Sequence, residues 1–218
     1  MLQEDRNMTR EQKQVKLLEA FVVRILSNHH AFHVLLDAEE RTSILTKTAP
    51  SFFNTLNDLL QRDFFLECAK ILEPCTSRVK GEVRENLTVN LFVERTGWTN
   101  EQQVRLNEFR DRLQRFYPWI KDARNKIIGH NDLLTYENEQ SDGLGAFQEG
   151  LDVEFVETLE EFYNYLHEIS FGRIWGAFAA NVEPGSVYEL ITAMYHALAF
   201  DAVVNDERTP INEKNALD

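Results

Sequence analysis

Apolar side chains recur three and four positions apart along most of this chain, and this spacing constrains its fold more than any other feature. The pattern is clearest after the capping-box sequence Thr99-Asn100-Glu101-Gln102, where the intervals are 3, 4 and 3: Leu106, Phe109, Leu113 and Phe116. Such intervals place side chains on one face of an α-helix. Glycine and proline, which interrupt helices, number only 9 and 5 among 218 residues. The sequence therefore predicts an all-α fold.

The helix boundaries follow from capping patterns and prolines. A capping box at Thr9 predicts a first helix over about residues 10–36, and Pro50 opens a second that ends near Pro74. Further helices are predicted after Thr99, at Pro118, at Asp152 and after a third capping box at Ser186-Val187-Tyr188-Glu189. The segment "ENLTVNLFVE", residues 85–94, has the alternating apolar pattern of a strand, but a lone strand would leave its backbone groups unpaired, so a short helix or an extended linker is predicted. The result is a single-domain bundle of five or six helices over residues 1–204, followed by a polar tail, 205–218, predicted to be frayed.

The cysteines and the N-terminus indicate a reducing compartment. The chain has two cysteines, Cys68 and Cys75, without a CxxC pattern, so both are predicted to be reduced. The N-terminal stretch "MLQEDRNMTREQKQVK" is polar and unlike a secretory signal. No apolar run reaches the roughly 18 residues that a membrane span requires. We therefore expect a cytoplasmic protein without a membrane partner.

Charge is distributed unevenly along the chain. The net charge is −13, yet residues 137–218 alone hold 17 acidic and 3 basic residues, a net charge of −14. Residues 105–126 carry seven basic and three acidic side chains, a net charge of +4. Because local sign decides where a phosphate can bind, this stretch is a candidate phosphate site. The alternative is that its arginines pair with the acidic C-terminal half.

Most familiar catalytic patterns are missing from the sequence. His29 and His33 lie four apart, a spacing that can hold a metal ion, but no acidic residue lies between them and packing near a helix end is the preferred interpretation. We therefore predict no metal and no cofactor. His167 and His196 are predicted to be structural. Neither a GxSxG sequence nor a glycine-rich phosphate loop after a strand is present.

One segment, "KDARNKIIGHNDLL" at residues 121–134, combines Arg124, Asn125 and His130. Cleavage of an RNA phosphodiester suits this set, because the nucleophile is the 2′-hydroxyl of the RNA itself. Histidine, with a pKa near 6.5, can move the protons. An arginine can hold the charge that grows on the phosphate. The alternative is an ordinary solvated helix face.

The spacing of this segment suggests a second protomer. Six residues at about 100° each put Arg124 and His130 roughly 120° apart around an ideal helix and about 9 Å apart along it. A single flat face cannot present both side chains together. Either Gly129 loosens the helix, or a two-fold dimer brings two copies of each residue into one cleft.

The segment "RNKIIGH" resembles the Arg-polar-x4-His signature of the HEPN superfamily, and its context resembles the abortive-infection AbiU-like branch. The similar stretches are "FFNTLNDLLQRDFFLECAKILEP", "ENLTVNLF" and "KDARNKIIGHND". The resemblance implies a metal-independent endoribonuclease with its site between two protomers. It assigns phosphate binding to Arg124, proton transfer to His130, an orienting role to Asn125 and a supporting role to Asp132.

The sequence thus predicts a homodimeric RNA-cleaving protein of the defence or toxin type, with a possible antitoxin protein as a further partner. Lys126, Arg112 and Arg115 are the predicted additional contacts to RNA phosphates. The alternative is a non-catalytic helical interaction module that dimerises and binds a protein partner. The intact Arg-Asn-x4-His set favours the enzyme, and the acidic half favours the module.

Overall fold

A computed structural model of the chain describes residues 8–36, 39–124, 147–176 and 186–207. These residues form eight helices and one small antiparallel hairpin, so the all-α prediction is confirmed with two or three helices more than expected. The elements in chain order are α1 (Arg10–Leu36), α2 (Glu39–Thr48), α3 (Pro50–Leu72), β1 (Thr76–Val79), β2 (Glu82–Glu85), α4 (Val89–Val93), α5 (Asn100–Gln114), α6 (Tyr117–Ala123), α7 (Leu151–Phe171) and α8 (Val187–Glu207). No helix among the described residues is both long and apolar enough to cross a lipid bilayer.

The chain divides into two compact units. Unit 1 consists of Met1–His29 and Leu59–Phe178, and unit 2 consists of His30–Asp58 and Ala179–Asp218. The predicted boundary between the helical domain and the polar tail, after residue 204, lies within α8, which continues to Glu207. Residues 208–218 lie outside the described residues. The single-domain boundaries at 1–204 stay a prediction.

Unit 1 contains a continuous apolar core. Its buried side chains come from α1, α3, α4, α5, α6 and α7 at the intervals that the sequence showed. They include Val15, Leu18, Val22, Ile25, Cys68, Ile71, Phe92, Leu106, Phe109, Leu113, Phe116, Ile120, Phe155, Leu159, Phe162 and Leu166. Each fully buried side chain of this size contributes about 1.5–3 kcal/mol relative to an exposed one. The core therefore fixes the helices that carry the candidate site.

Unit 2 is built from the end of α1, α2, the start of α3 and α8. Its buried apolar side chains are Val34, Leu35, Ile44, Leu45, Phe53, Ile191 and Met194. Arg41 donates a 2.9 Å hydrogen bond to the Val34 carbonyl, and its guanidinium lies 6.0 Å from the centre of the Tyr188 ring. Arg41, which lies on α2, thus contacts both the end of α1 and α8 within this unit.

The segment between α3 and α5 contains a hairpin that the sequence did not predict. β1 and β2 pair from Thr76–Glu85 to Val79–Glu82, and the loop residues Lys80 and Gly81 have φ values of +52° and +88°. Positive φ at both loop residues is typical of a type I′ hairpin turn. After the hairpin, Val89–Val93 form the short helix that was one of the two predicted alternatives. β1 pairs with β2 and not with the residues of this helix.

Candidate active site around Arg124

The position of Arg124 is set by the packing of α5 and α6 against α7. Phe109 lies 6.2 Å from Phe162, and Phe116, between α5 and α6, lies 4.9 Å from Phe155, measured between ring centres. Ile120 on α6 is completely buried. Pro118 occupies the first turn of α6, where its missing N–H costs no hydrogen bond. Arg124 therefore follows a helix that the core holds in place.

Arg124 continues the helical backbone and forms an ion pair with Glu73. Its backbone N–H donates to the carbonyls of Ile120 and Lys121. Its Nη1 donates to Oε1 of Glu73, which follows the last residue of α3. The two side chains are 26% and 32% exposed, so the pair is partly shielded from water but still reachable. A guanidinium in such a position can bind a phosphate oxygen through its N–H donors.

The remaining predicted site residues of this segment lie outside the described residues. These are Asn125, Lys126, His130 and Asp132. Of the predicted catalytic set, the described structure therefore places Arg124 alone. The roles of all five side chains, and the dimer cleft, stay predictions.

The two arginines predicted to contact RNA phosphates pair with α7. Arg112 Nη1 lies 2.8 Å from Glu161 Oε2, and Arg115 Nη1 lies 3.1 Å from Glu154 Oε1. The side chains of the arginines are 33% and 62% exposed, so the cations remain at the surface. Exposed ion pairs of this kind contribute only about 0–1 kcal/mol and can exchange partners. Pairing with the acidic half, one of the two alternatives drawn from the charge distribution, therefore occurs at these two positions.

The other arginines of α5 have partners on their own helix. Arg105 Nη1 lies 3.0 Å from Glu108 Oε2, and Arg110 Nη2 lies 2.8 Å from Asp111 Oδ1. The net charge of +4 on residues 105–126 is thus partly neutralised locally. A phosphate that binds here must compete with carboxylates for each of these arginines.

Two histidines in unit 1 have partners that the sequence did not reveal. His29 Nε2 lies 3.0 Å from Asp152 Oδ2 on α7, and its ring lies 5.5 Å from that of Phe64. His167, predicted to be structural, is buried and its Nδ1 donates a 2.9 Å hydrogen bond to the Arg173 carbonyl. Nδ1 of His167 therefore carries the proton when the ring is neutral.

Both cysteines are free thiols held in the protonated form. Burial raises the pKa of Cys68 well above its ordinary value. The hydrogen bond from Cys75 Sγ to Glu94 raises the pKa of the Cys75 thiol. Since the thiolate is the nucleophilic form, neither residue is prepared for nucleophilic catalysis. The proton-transfer and phosphate-binding groups of the Arg124 segment are therefore the better candidates for chemistry.

Glu73 is a neighbour of Arg124 that the sequence does not reveal. It lies 51 positions before Arg124, too far for any helical-spacing argument to connect them. A weak signal existed, because Glu73 is the second-to-last residue of the stretch "FFNTLNDLLQRDFFLECAKILEP", which carries part of the family resemblance.

The chain matches one family model over most of its length. The HEPN_AbiU2 model, described as AbiU2, matches residues 11–181, which is well over half of the chain. The match includes α1 to α7 and the whole Arg124 segment. Comparison with curated proteins and comparison with solved structures found no match.

Proposed function

The chain belongs to the HEPN AbiU2 family, and from that membership we propose that it is a metal-independent endoribonuclease of the defence or toxin type. The observation that carries the proposal is the Arg124-Asn125-x4-His130 sequence inside the matched region. The partly exposed guanidinium of Arg124 supports it, because that group is accessible to a phosphate.

The reaction needs no nucleophile from the protein. The 2′-hydroxyl of a ribose attacks the adjacent phosphorus, and the bond to the 5′-oxygen of the next nucleotide breaks. His130 would move protons, taking one from the 2′-hydroxyl or giving one to the leaving oxygen. Arg124 would stabilise the charge on the phosphate oxygens, and Asn125 would orient the two groups. DNA, which lacks the 2′-hydroxyl, would be inert.

The decisive experiment compares wild type with Arg124→Ala and His130→Ala on mixed RNA in the presence of a chelator. We expect wild type to cleave RNA and each variant to be slower by about a hundredfold or more. Arg84→Ala and His196→Ala are matched controls, since each removes the same residue type from an exposed position outside the basic stretch 105–126. RNA with 2′-O-methyl groups should resist cleavage. If wild type and both variants cut equally, or none cuts, the enzymatic proposal is wrong.

We further propose that two protomers share the active site. The support is the sequence spacing, because six residues on an ideal helix would separate Arg124 and His130 by roughly 120°. In addition, the motif has one histidine, whereas cleavage requires both an acid and a base. Mixing Arg124→Ala with His130→Ala protomers tests this point, because a composite cleft made of one protomer of each kind would retain one Arg124 and one His130. Full activity of a chain held strictly monomeric would exclude the shared cleft.

A non-catalytic interaction module is the second candidate, and the acidic helix α7 favours it. This helix carries six acidic residues and no lysine or arginine: Asp152, Glu154, Glu157, Glu160, Glu161 and Glu168. A basic protein partner would suit such a surface. In that case wild type would fail to cleave RNA and would form a stoichiometric complex with a basic polypeptide. The complex would dissociate when the salt concentration is raised or when these glutamates are changed to glutamine.

A further inference from the structure

The three stretches that carry the family resemblance meet at one point in unit 1. Glu73 belongs to the first stretch, Asn90 to the second and Arg124 to the third. Glu73 Oε1 accepts a hydrogen bond from Arg124 Nη1, and the Glu73 carbonyl accepts a 2.9 Å hydrogen bond from Asn90 Nδ2. A single residue, Glu73, therefore connects the other two.

The backbone at Glu73 is held by two other helices. Asn90 Nδ2 of α4 also donates a 3.3 Å hydrogen bond to the Leu72 carbonyl. Gln114 Nε2 of α5 donates to the same carbonyl at 3.1 Å. The last carbonyls of a helix have no partner within the helix, so these side chains satisfy the end of α3. Pro74, directly after Glu73, restricts the backbone further.

We infer that Glu73 is a positioning residue that holds the Arg124 guanidinium in its phosphate-binding orientation; this rests on the proposed ribonuclease function. An arginine side chain has several rotatable bonds and loses rotamer freedom when it is fixed. Because side chains of α4 and α5 hold the backbone that carries the Glu73 carboxylate, that ordering is a property of the folded protein. The phosphate then meets an arginine that is already in place.

The charge of Glu73 matters as well as its position. Its carboxylate is 32% exposed, so an approaching phosphate and Glu73 can contact the same guanidinium from different directions. In the preorganised pair, Glu73 is the second group that orients the catalytic side chain, Arg124, through a hydrogen bond. Arg124 remains the group that touches the substrate, and Glu73 acts through it.

The test measures kcat and KM for cleavage of a labelled single-stranded RNA in the presence of a chelator. Glu73→Ala is expected to lower kcat about tenfold to a hundredfold, because small displacements of a catalytic group have effects of this size. KM should change by no more than about threefold. Glu73→Gln, which keeps an acceptor oxygen and the side-chain shape, should lie between wild type and Glu73→Ala. In the Arg124→Ala background, Glu73→Ala should cause no further loss.

Glu85→Ala is the matched control. It removes a glutamate of the same unit that pairs with Arg10 at 2.6 Å, and we expect wild-type kinetics. Thermal unfolding shows whether each variant is folded, and Glu73→Gln carries the test if Glu73→Ala is not. The inference is overturned if the Glu73 variants match Glu85→Ala or cleave faster than wild type. An inactive wild type would instead overturn the proposed function itself.

Discussion

Cys75 shows how one neighbouring side chain can determine the chemistry of a residue. Its Sγ lies 3.1 Å from Glu94 Oε2 and donates a hydrogen bond to it. This bond, together with some burial and the negative charge of Glu94, raises the pKa of the thiol. A raised pKa keeps the thiol protonated to a higher pH, which slows every reaction that requires the thiolate.

Glu94→Gln should lower the pKa of Cys75 towards its ordinary value. The thiolate fraction below that pKa rises about tenfold for each unit by which the pKa falls. Alkylation by iodoacetamide at about pH 8 should therefore be faster in the variant. Peptide mapping by mass spectrometry distinguishes Cys75 from Cys68, which is buried and should stay unmodified in both native proteins. Identical pH profiles for Cys75 in the two proteins would contradict this expectation.

The sequence predicted the helices that are marked by regular spacing of apolar residues and by capping residues. The expected bounds of the first helix match α1, and the second begins at Pro50 as predicted. The capping box at Thr99 is formed: the Thr99 side chain accepts from the Gln102 N–H, and the Gln102 side chain accepts from the Thr99 N–H. Such signals are local, so they can be recognised without knowledge of the tertiary structure.

Elements that the sequence did not predict, or left between two alternatives, have no such signals or have conflicting ones. Helix α2 has the sequence "EERTSILTKT", in which the only strongly apolar residues, Ile44 and Leu45, are adjacent and form no stripe. The hairpin strands are largely exposed, so they show no alternation of buried and exposed positions. In α4 the buried positions are Val89, Phe92 and Val93. In a segment this short, the helical spacing of these residues is difficult to distinguish from the alternating pattern of a strand.

The partners of Arg124 could not be predicted for a different reason. Its contact with Glu73 depends on how the end of α3 packs against α4 and α5. The spacing of the two residues in the sequence does not indicate that packing. The same holds for the pairs Arg112–Glu161 and Arg115–Glu154. The charge distribution indicated that such pairs were available but not which arginines would form them.

Removing the cap of α5 tests whether this helix depends on its first turn. Thr99→Ala should lower the free energy of unfolding by about 1 kcal/mol, since the Gln102 N–H loses its acceptor. Thr99→Ser keeps the hydroxyl and should restore most of that loss. Denaturant unfolding measures the difference, and amide exchange at Gln102 shows whether it arises at the helix start. Equal stability of Thr99→Ala and wild type would mean that core packing alone maintains this end of α5.

At the scale of the whole molecule, the question is how a protein with a net charge of −13 could bind RNA. The acidic C-terminal half does not lie apart from the basic stretch throughout, because α7 contributes the partners of Arg112 and Arg115. Counterion release favours RNA binding only where cations can reach phosphates. If RNA binds at these two arginines as proposed, the glutamates of α7 compete with it for them.

The double variant Glu154→Gln/Glu161→Gln should bind RNA more tightly than wild type if these arginines lie on the RNA path. Folding should change little, because exposed ion pairs contribute about 0–1 kcal/mol each. We would measure the affinity for an uncleavable 2′-O-methyl RNA between about 50 and 200 mM salt. Two newly available phosphate contacts should steepen the slope of log affinity against log salt by about 1.4.

The matched control is Glu157→Gln/Glu168→Gln, which makes the same change in net charge at two exposed positions of the same helix. Long-range electrostatics alone would raise the affinity similarly in both double variants, because each removes two negative charges. Competition for Arg112 and Arg115 would raise it more in Glu154→Gln/Glu161→Gln, and Arg112→Ala/Arg115→Ala in that background would abolish the gain. Equal gains in the two double variants would leave α7 as a source of repulsion only. In that case Arg112 and Arg115 would be structural partners of α7, and Arg124 with its neighbours would have to bind the phosphate without them.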